Sequence, residues 1–298
     1  MVGAEKAKTV KGRGHRFHIL LRYALLITVG SIFIFPLVFM IVSSLKPDLQ
    51  LLRDSGSLLA FVPHGDISLQ NYFDAFERVP LARFMFNSVF VTVVTVFFSL
   101  LLCSLAGFAF AILRWPGKNI VLAVLVATLI IPFDTISVPL LLLVNELPMI
   151  SRDGFKIGWL DTYHVQIVPF IADAFTVFLF TQFFRDLPKE IIEAARIDGA
   201  SWFQIYRRVV VPISGPVFAT AAILKFLHMY NQYLWPLMTS QTEEFRPVMV
   251  GVQYFFQLNV AWGEIMAYLS FITIPVLIFY LFLQRAFIES IASSGVKG

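Results

Sequence analysis

A single cysteine, Cys103, stands in 298 residues, so no disulfide forms within the chain and cysteine usage says nothing about redox compartment. Charge is scarce too. Asp, Glu, Lys and Arg make up 14% of the residues, against about 25% in soluble domains. A soluble all-helical protein would need far more polar face between its helices. Catalytic and metal signatures are also missing. The five histidines are scattered, with no His-Glu-x-x-His or Cys-x-x-Cys spacing and no Gly-x-Ser-x-Gly elbow. Gly117-Lys118 lacks the upstream glycine of a phosphate-binding loop. No catalytic residue, no metal site and no cofactor is expected in this chain. No nucleic-acid motif accompanies the net charge of +4, and no repeat or low-complexity tract stands out.

What the chain has in quantity is apolar sequence, at 58% of residues. Six stretches are long enough to cross a hydrocarbon core about 30 Å thick. They are Tyr23–Val42, Phe84–Leu113, Asn119–Val144, His164–Phe184, Val209–Trp235 and Ile265–Gln284. The pattern predicts an all-α integral membrane protein with six transmembrane helices. A basic region precedes the first stretch, but that stretch is too long for a signal peptide and ends without a small-residue cleavage pattern. It is read as a retained helix. Six spans place both termini on one side. Fifteen Lys and Arg residues fall on that side and seven on the other, which puts the termini in the cytoplasm. Residues 1–19 form a loosely ordered cytoplasmic tail, 20–288 the membrane domain and 289–298 a second cytoplasmic tail. The positive charge then reflects topology and contact with membrane lipids.

One segment breaks the apolar pattern. Arg185 to Arg208 carries nine charged residues in 24 positions and falls on the cytoplasmic side. Asp186 is a candidate cap for a helix that Pro188 opens in its first turn. Gly199 suits the left-handed residue that ends it. Ser201 with Gln204 reads as a capping box for a second short helix, which Pro212 keeps from running on unbroken. The expected product is a helix–turn–helix knob at about 186–208, its first arm about 10 residues and roughly 15 Å long.

The spacing within this knob resembles the EAA loop of the permease subunits of ABC importers. Glu193-Ala194-Ala195, three residues, Gly199, nine residues and Val209-Val210-Val211-Pro212 fit its pattern, with Val209 and Val211 in place of Ile and Leu. The form EAARIDGAS is similar to that of permeases for oligosaccharides and polyols, including the maltose-type pair. The likeness extends along the chain. Ser43-Ser44-Leu45-Lys46-Pro47, Asn71-Tyr72, Asn87-Ser88, Asn231-Gln232-Tyr233-Leu234-Trp235-Pro236-Leu237 and Gly295-Val296-Lys297-Gly298 resemble that family's landmarks. Tyr230 replaces its usual Trp, and Glu289-Ser290-Ile291-Ala292 departs from its Gly-rich lead-in to the end.

The resemblance implies a type I ABC-importer permease fold in a prokaryotic cytoplasmic membrane, similar to the smaller maltose permease. It implies a second, distinct permease subunit, two ATPase subunits that bind ATP and Mg, and an extracytoplasmic substrate-binding protein. Coupling to the ATPase falls to Glu193, Ala194, Ala195, Asp198, Gly199 and Pro212, and the terminal Ser294–Gly298 would reach the ATPase interface. The cargo implied is a di- or oligosaccharide, with a glycerol-phosphate-type polyol ester as the alternative. Independently of the family, the residues themselves offer two readings of Glu193: a bond to a partner's Arg, or an ion pair with Arg196. Polar groups at membrane depth offer two as well. Asp134, Asp173, Lys225, Asn231, Gln232 and Trp235 would line a sugar path or bond between helices. An ion-coupled secondary transporter, relaying ions through Asp134, Asp173 and Lys225, is the reading from another class. It lacks an inverted repeat.

Overall fold

Proline and small residues decide where this chain bends and where its helices approach one another. The computed structural model describes residues 2–151, 154–256 and 260–295, with side chains described over 18–150, 154–256 and 260–284. The helices begin with α1 (Val2–Ser44), α2 (Asp48–Asp54), α3 (Gln70–Arg78), α4 (Leu81–Ala111), α5 (Lys118–Ala127) and α6 (Phe133–Glu146). A hairpin of β1 (Pro148–Ser151) and β2 (Gly154–Ile157) follows, then α7 (Tyr163–Ile167), α8 (Ala174–Arg185), α9 (Lys189–Ile197) and α10 (Trp202–Ile205). A π-helical turn, Tyr206–Val210, leads into α11 (Val211–Ile213) and α12 (Gly215–Tyr230). The chain continues through α13 (Leu234–Thr239), α14 (Val248–Gly251) and α15 (Trp262–Gly295).

Among the described residues, four helical stretches are long and apolar enough to cross a membrane: His18–Ser44, Leu81–Ala111, Tyr163–Arg185 and Trp262–Gln284. Two bent pairs bring the number to six if each pair is one span. Lys118–Ile130 meets Phe133–Glu146 at 104°, and Trp202–Ile213 meets Gly215–Tyr230 at 80°. The break in the first pair lies at Ile131, which is extended before Pro132. The ring of a proline pushes the preceding residue out of the helical region.

Several expectations are corrected. The fold is mostly helical but not wholly so, because β1 and β2 pair antiparallel with Ile150 opposite Phe155. The tail expected to be loosely ordered is helical from Val2, and no proline interrupts its Lys, Ala and Arg residues. The fifth apolar stretch stops as a helix at Tyr230, leaving Trp235 on the separate α13. Side chains of the terminal Ser294–Gly298 lie outside the described residues.

By its internal contacts the chain falls into two units. One comprises Met1–Arg78 and Phe255–Phe271, and its loop is tied by a buried polar knot. Lys46, 1% exposed, donates to Asp54 at 2.8 Å and to the Leu59 carbonyl at 2.6 Å. The Asn71 amide donates to the carbonyls of Ser44 and Lys46 at 2.9 and 2.8 Å. The hydroxyls of Ser44 and Tyr72 share a hydrogen bond of 2.8 Å. The SLKP and Asn-Tyr landmarks of the sequence are thus two halves of one structure.

The second unit comprises Val79–Tyr254 and Ile272–Gly298. Its core explains how a helix with almost no polar face finds neighbours. On α4 the buried residues Thr92, Thr95, Ser99, Cys103 and Gly107 recur every three or four positions, with Ser104 beside them. This stripe of small residues lets another backbone come close, while phenylalanines such as Phe86 and Phe97 point outward. A Cβ on Gly107 would stand 2.5 Å from Cβ of Phe180 on α8. α4 and α8 therefore meet tightly at Gly107.

Candidate functional site

The charged knob is built on the end of α8. Asp186 closes α8 and does not cap α9, which Pro188 precedes at the N-cap position without a side-chain bond. The two-residue gap explains the change of role. Phe183 still accepts from the Asp186 N–H at 3.2 Å, so Asp186 belongs to the helix it ends. Helix α9 then ends in a Schellman motif. The Ala200 N–H reaches the Ala195 carbonyl at 3.0 Å, and the Gly199 N–H reaches Arg196 at 3.1 Å, with Gly199 at φ +82°. The expected capping box is present. Ser201 accepts from the Gln204 N–H at 3.3 Å, and Gln204 accepts from the Ser201 N–H at 2.7 Å.

The second arm does not run on unbroken, but its bend falls past Pro212. The chain passes through it by widening to the π turn, in which the Val211 N–H bonds to Tyr206 instead of Arg207. The turn comes two residues later, at Ser214, whose hydroxyl donates to the Val210 carbonyl at 2.6 Å. Ile192, Ile205, Tyr206 and Val210 anchor the knob in the core beside Phe108, Phe180 and Phe184. A 2.7 Å hydrogen bond joins Tyr206 to Ser104 on α4.

The outer face of the knob is exposed. Glu193 and Ala194 are exposed, and Ile197 is 87% exposed. Arg196 lies 4.5 Å over the Trp202 ring and donates to the Ala200 carbonyl at 2.7 Å. Among the described residues Glu193 makes no ion pair, so Arg196 serves the turn and not the carboxylate. A Cβ on Gly199 would meet nothing within 4 Å, so within this chain its glycine is required by φ alone.

The polar groups expected at membrane depth divide. Asp173 and Lys225 come together, with Lys225 Nζ 2.7 Å from Asp173 Oδ2. Asp173 also caps α8, accepting from the Thr176 N–H at 2.9 Å and its hydroxyl at 2.8 Å. Trp235 is 1% exposed and donates to the Val165 carbonyl at 2.8 Å, among Phe133 and Phe170. Asp134 is exposed in the first turn of α6, where the helix dipole favours a carboxylate. Asn231 is exposed at the end of α12, donating to Leu227, and Gln232 is half-buried. No hydrogen bond among the described residues joins these three to the Asp173–Lys225 pair.

A second polar cluster was visible in the sequence only as a landmark. Asn87, within the uncharged stretch that begins at Phe84, donates to the carbonyls of Glu244 and Arg246, both at 2.9 Å, and accepts from Tyr163 at 2.8 Å. Ser88 accepts from the Val248 N–H at 2.9 Å. A lone amide in an apolar run was the available signal.

Comparison with known proteins places this architecture. Residues 18–293 match the family described as the binding-protein-dependent transport system inner membrane component. The chain belongs to that family. Among its relatives is the arabinooligosaccharides transport system permease protein AraQ of Halalkalibacterium halodurans. It is 34% identical over 283 residues, covering 92% of this chain and 96% of the relative. The sn-glycerol-3-phosphate transport system permease protein UgpE of Brucella abortus is 27% identical over 281 residues, covering 91% and 95%. A crystal structure of a bacterial ABC transporter involved in the import of the acidic polysaccharide alginate shares the fold. The TM-score is 0.73 at 21% identity, covering 92% of this chain and 97% of that one. The binding-protein-dependent permease is thus the frame in which the knob and the polar pairs stand.

Proposed function

We propose that this permease forms half of the pathway of an ATP-driven importer for a di- or oligosaccharide. Its EAA knob, α9 to α11, receives the movement of two partner ATPases, which bind ATP and Mg. Six spans within residues 20–288 form the permease domain, with the knob and both termini in the cytoplasm. A second permease and an extracytoplasmic binding protein complete the assembly. The observation that carries the reading is the Glu193–Pro212 motif, whose exposed carboxylate has no ion-pair partner among the described residues. Ala194 and Ala195 leave room for a close approach, and Glu193 can form a charge-assisted bond to a partner's Arg in a desolvated joint. The identity to an arabinooligosaccharide permease supports the cargo class.

The likeness to a glycerol-3-phosphate permease favours a second reading, a polyol phosphate ester, at lower identity. Uptake by the reconstituted assembly separates the two. Labelled arabinooligosaccharides should enter ATP-dependently and glycerol 3-phosphate should not. In the same vesicles Glu193→Gln should leave ATP hydrolysis running while uptake falls at least about tenfold, since a desolvated charged bond is worth about 2 kcal/mol or more. Undiminished uptake by that variant would remove Glu193 from the joint.

A further inference from the structure

A cavity of about 820 Å³ in the second unit opens between the knob and the turn that follows α4. Three apolar stretches end on it. Ala111 closes α4, Lys118 opens α5 and Arg185 closes α8, and all three line the cavity. The cavity therefore sits where hydrocarbon gives way to headgroups. Its charge is strongly one-sided. Arg114, Lys118, Arg185, Lys189 and Arg196 line it against the single carboxylate of Glu193.

Two of these cations are engaged within the chain. Lys118 donates to the Leu113 carbonyl at 2.9 Å, and Arg196 holds the Ala200 carbonyl and the Trp202 ring. Among the described residues Arg114, Arg185 and Lys189 make no hydrogen bond or ion pair. Three gathered cations repel one another, and Glu193 is the one carboxylate in the lining. Trp115 and Trp202 also line the cavity. Tryptophan is the residue favoured at the membrane–water boundary, where its ring lies among headgroups and acyl chains.

We propose that this cavity binds the phosphodiester headgroup of an anionic phospholipid. Arg114, Arg185 and Lys189 bind its phosphate oxygens, and the two tryptophans lie against the glycerol and upper acyl chains. The volume exceeds what one phosphate needs and suits a phosphatidylglycerol or cardiolipin headgroup, in keeping with basic pockets between membrane helices that hold such lipids. The proposal rests on the membrane reading above but not on coupling to an ATPase. A lipid here would brace the root of the knob against the ends of α4 and α8.

The test uses the full chain purified alone in detergent, with lipid binding followed by native mass spectrometry. Phosphatidylglycerol and cardiolipin should bind and phosphatidylcholine should not. Each cation near a membrane surface changes affinity about fivefold, so R114A/R185A/K189A should weaken phosphatidylglycerol binding by about two orders of magnitude. R207A/R208A, which removes cations that do not line the cavity, should leave it unchanged. A fluorescence measurement needs no charge variant. Brominated phosphatidylglycerol should quench tryptophan more than brominated phosphatidylcholine, and the difference should vanish in W115F/W202F. Equal binding of all three lipids, or retained binding by the triple variant, overturns the proposal. Displacement by inorganic phosphate at matching concentration would assign the cavity to the free anion. Displacement by the purified ATPase subunit would assign it to the protein joint. Because no ATPase is otherwise present, failure here leaves the coupling reading standing, and an uncoupled Glu193 variant leaves this one standing.

Discussion

At the scale of single residues, Gly199 and the Asp173–Lys225 pair make the most specific demands. Gly199 is left-handed with open space around its missing side chain, so the cost of replacement is conformational. Gly199→Val should lower stability by about 1–2 kcal/mol, and Gly199→Asn, which tolerates that conformation, by less. Thermal unfolding of the two variants in detergent checks this, and equal losses would remove the left-handed requirement. The Asp173–Lys225 pair combines a 5% exposed ammonium with a carboxylate that also caps α8. Lys225→Met strands a partly buried carboxylate and should cost about 3 kcal/mol. Asp173→Asn with Lys225→Met should recover part of that loss, and a double-mutant cycle on melting temperature measures the coupling. The sequence revealed both ionic residues but not their pairing, because 52 positions separate them and no local period links them.

Among elements, the polar knot behind α2 responds to acid in a definite direction. The Lys46 ammonium, hydrogen-bonded to Asp54, holds its carboxyl below the usual carboxylate range, and His64 stands 2.9 Å away. A lowered folded pKa contributes stability that is complete above the ordinary carboxylate value of about 4. That contribution is lost as pH falls through the lowered value. Hydrogen exchange at Leu59 and Ser68 should therefore accelerate below about pH 4 and, in Asp54→Asn, already be fast at neutral pH. Unchanged exchange on acidification would remove Asp54 from the knot. Local signals were legible here to unequal degrees. The Ser201–Gln204 box and the Gly199 terminus follow from contacts within five residues, and both could be read directly. Asp186 and Pro212 were misplaced for one reason: a cap or a break has several geometric solutions one or two residues apart. The choice between them is made by core contacts of Ile192, Ile205 and Tyr206 with distant helices. The hairpin at 148–157 escaped because four-residue strands leave too short a period to see.

For the whole molecule, hydropathy made the class plain and left the bends hidden, since Pro132 announces a break but not a turn of 104°. The side of the membrane on which the knob lies can be tested cleanly because Cys103 is the sole cysteine and is buried. In intact cells a membrane-impermeant thiol reagent should label Ser57→Cys and spare Ser201→Cys, which becomes reactive only in inverted vesicles. The reverse pattern would invert the topology. The bend at Ser214 has a mechanical consequence. Trp202–Ile213 and Gly215–Tyr230 are two stiff arms meeting at 80°, about 18 and 24 Å long at 1.5 Å per residue. Such a piece is a bell crank with a leverage near one. A thrust on the short arm emerges as a swing of the long arm, nearly at right angles and little changed in size. Lys225 rides two-thirds of the way along that long arm, so its bond to Asp173 would resist any such swing.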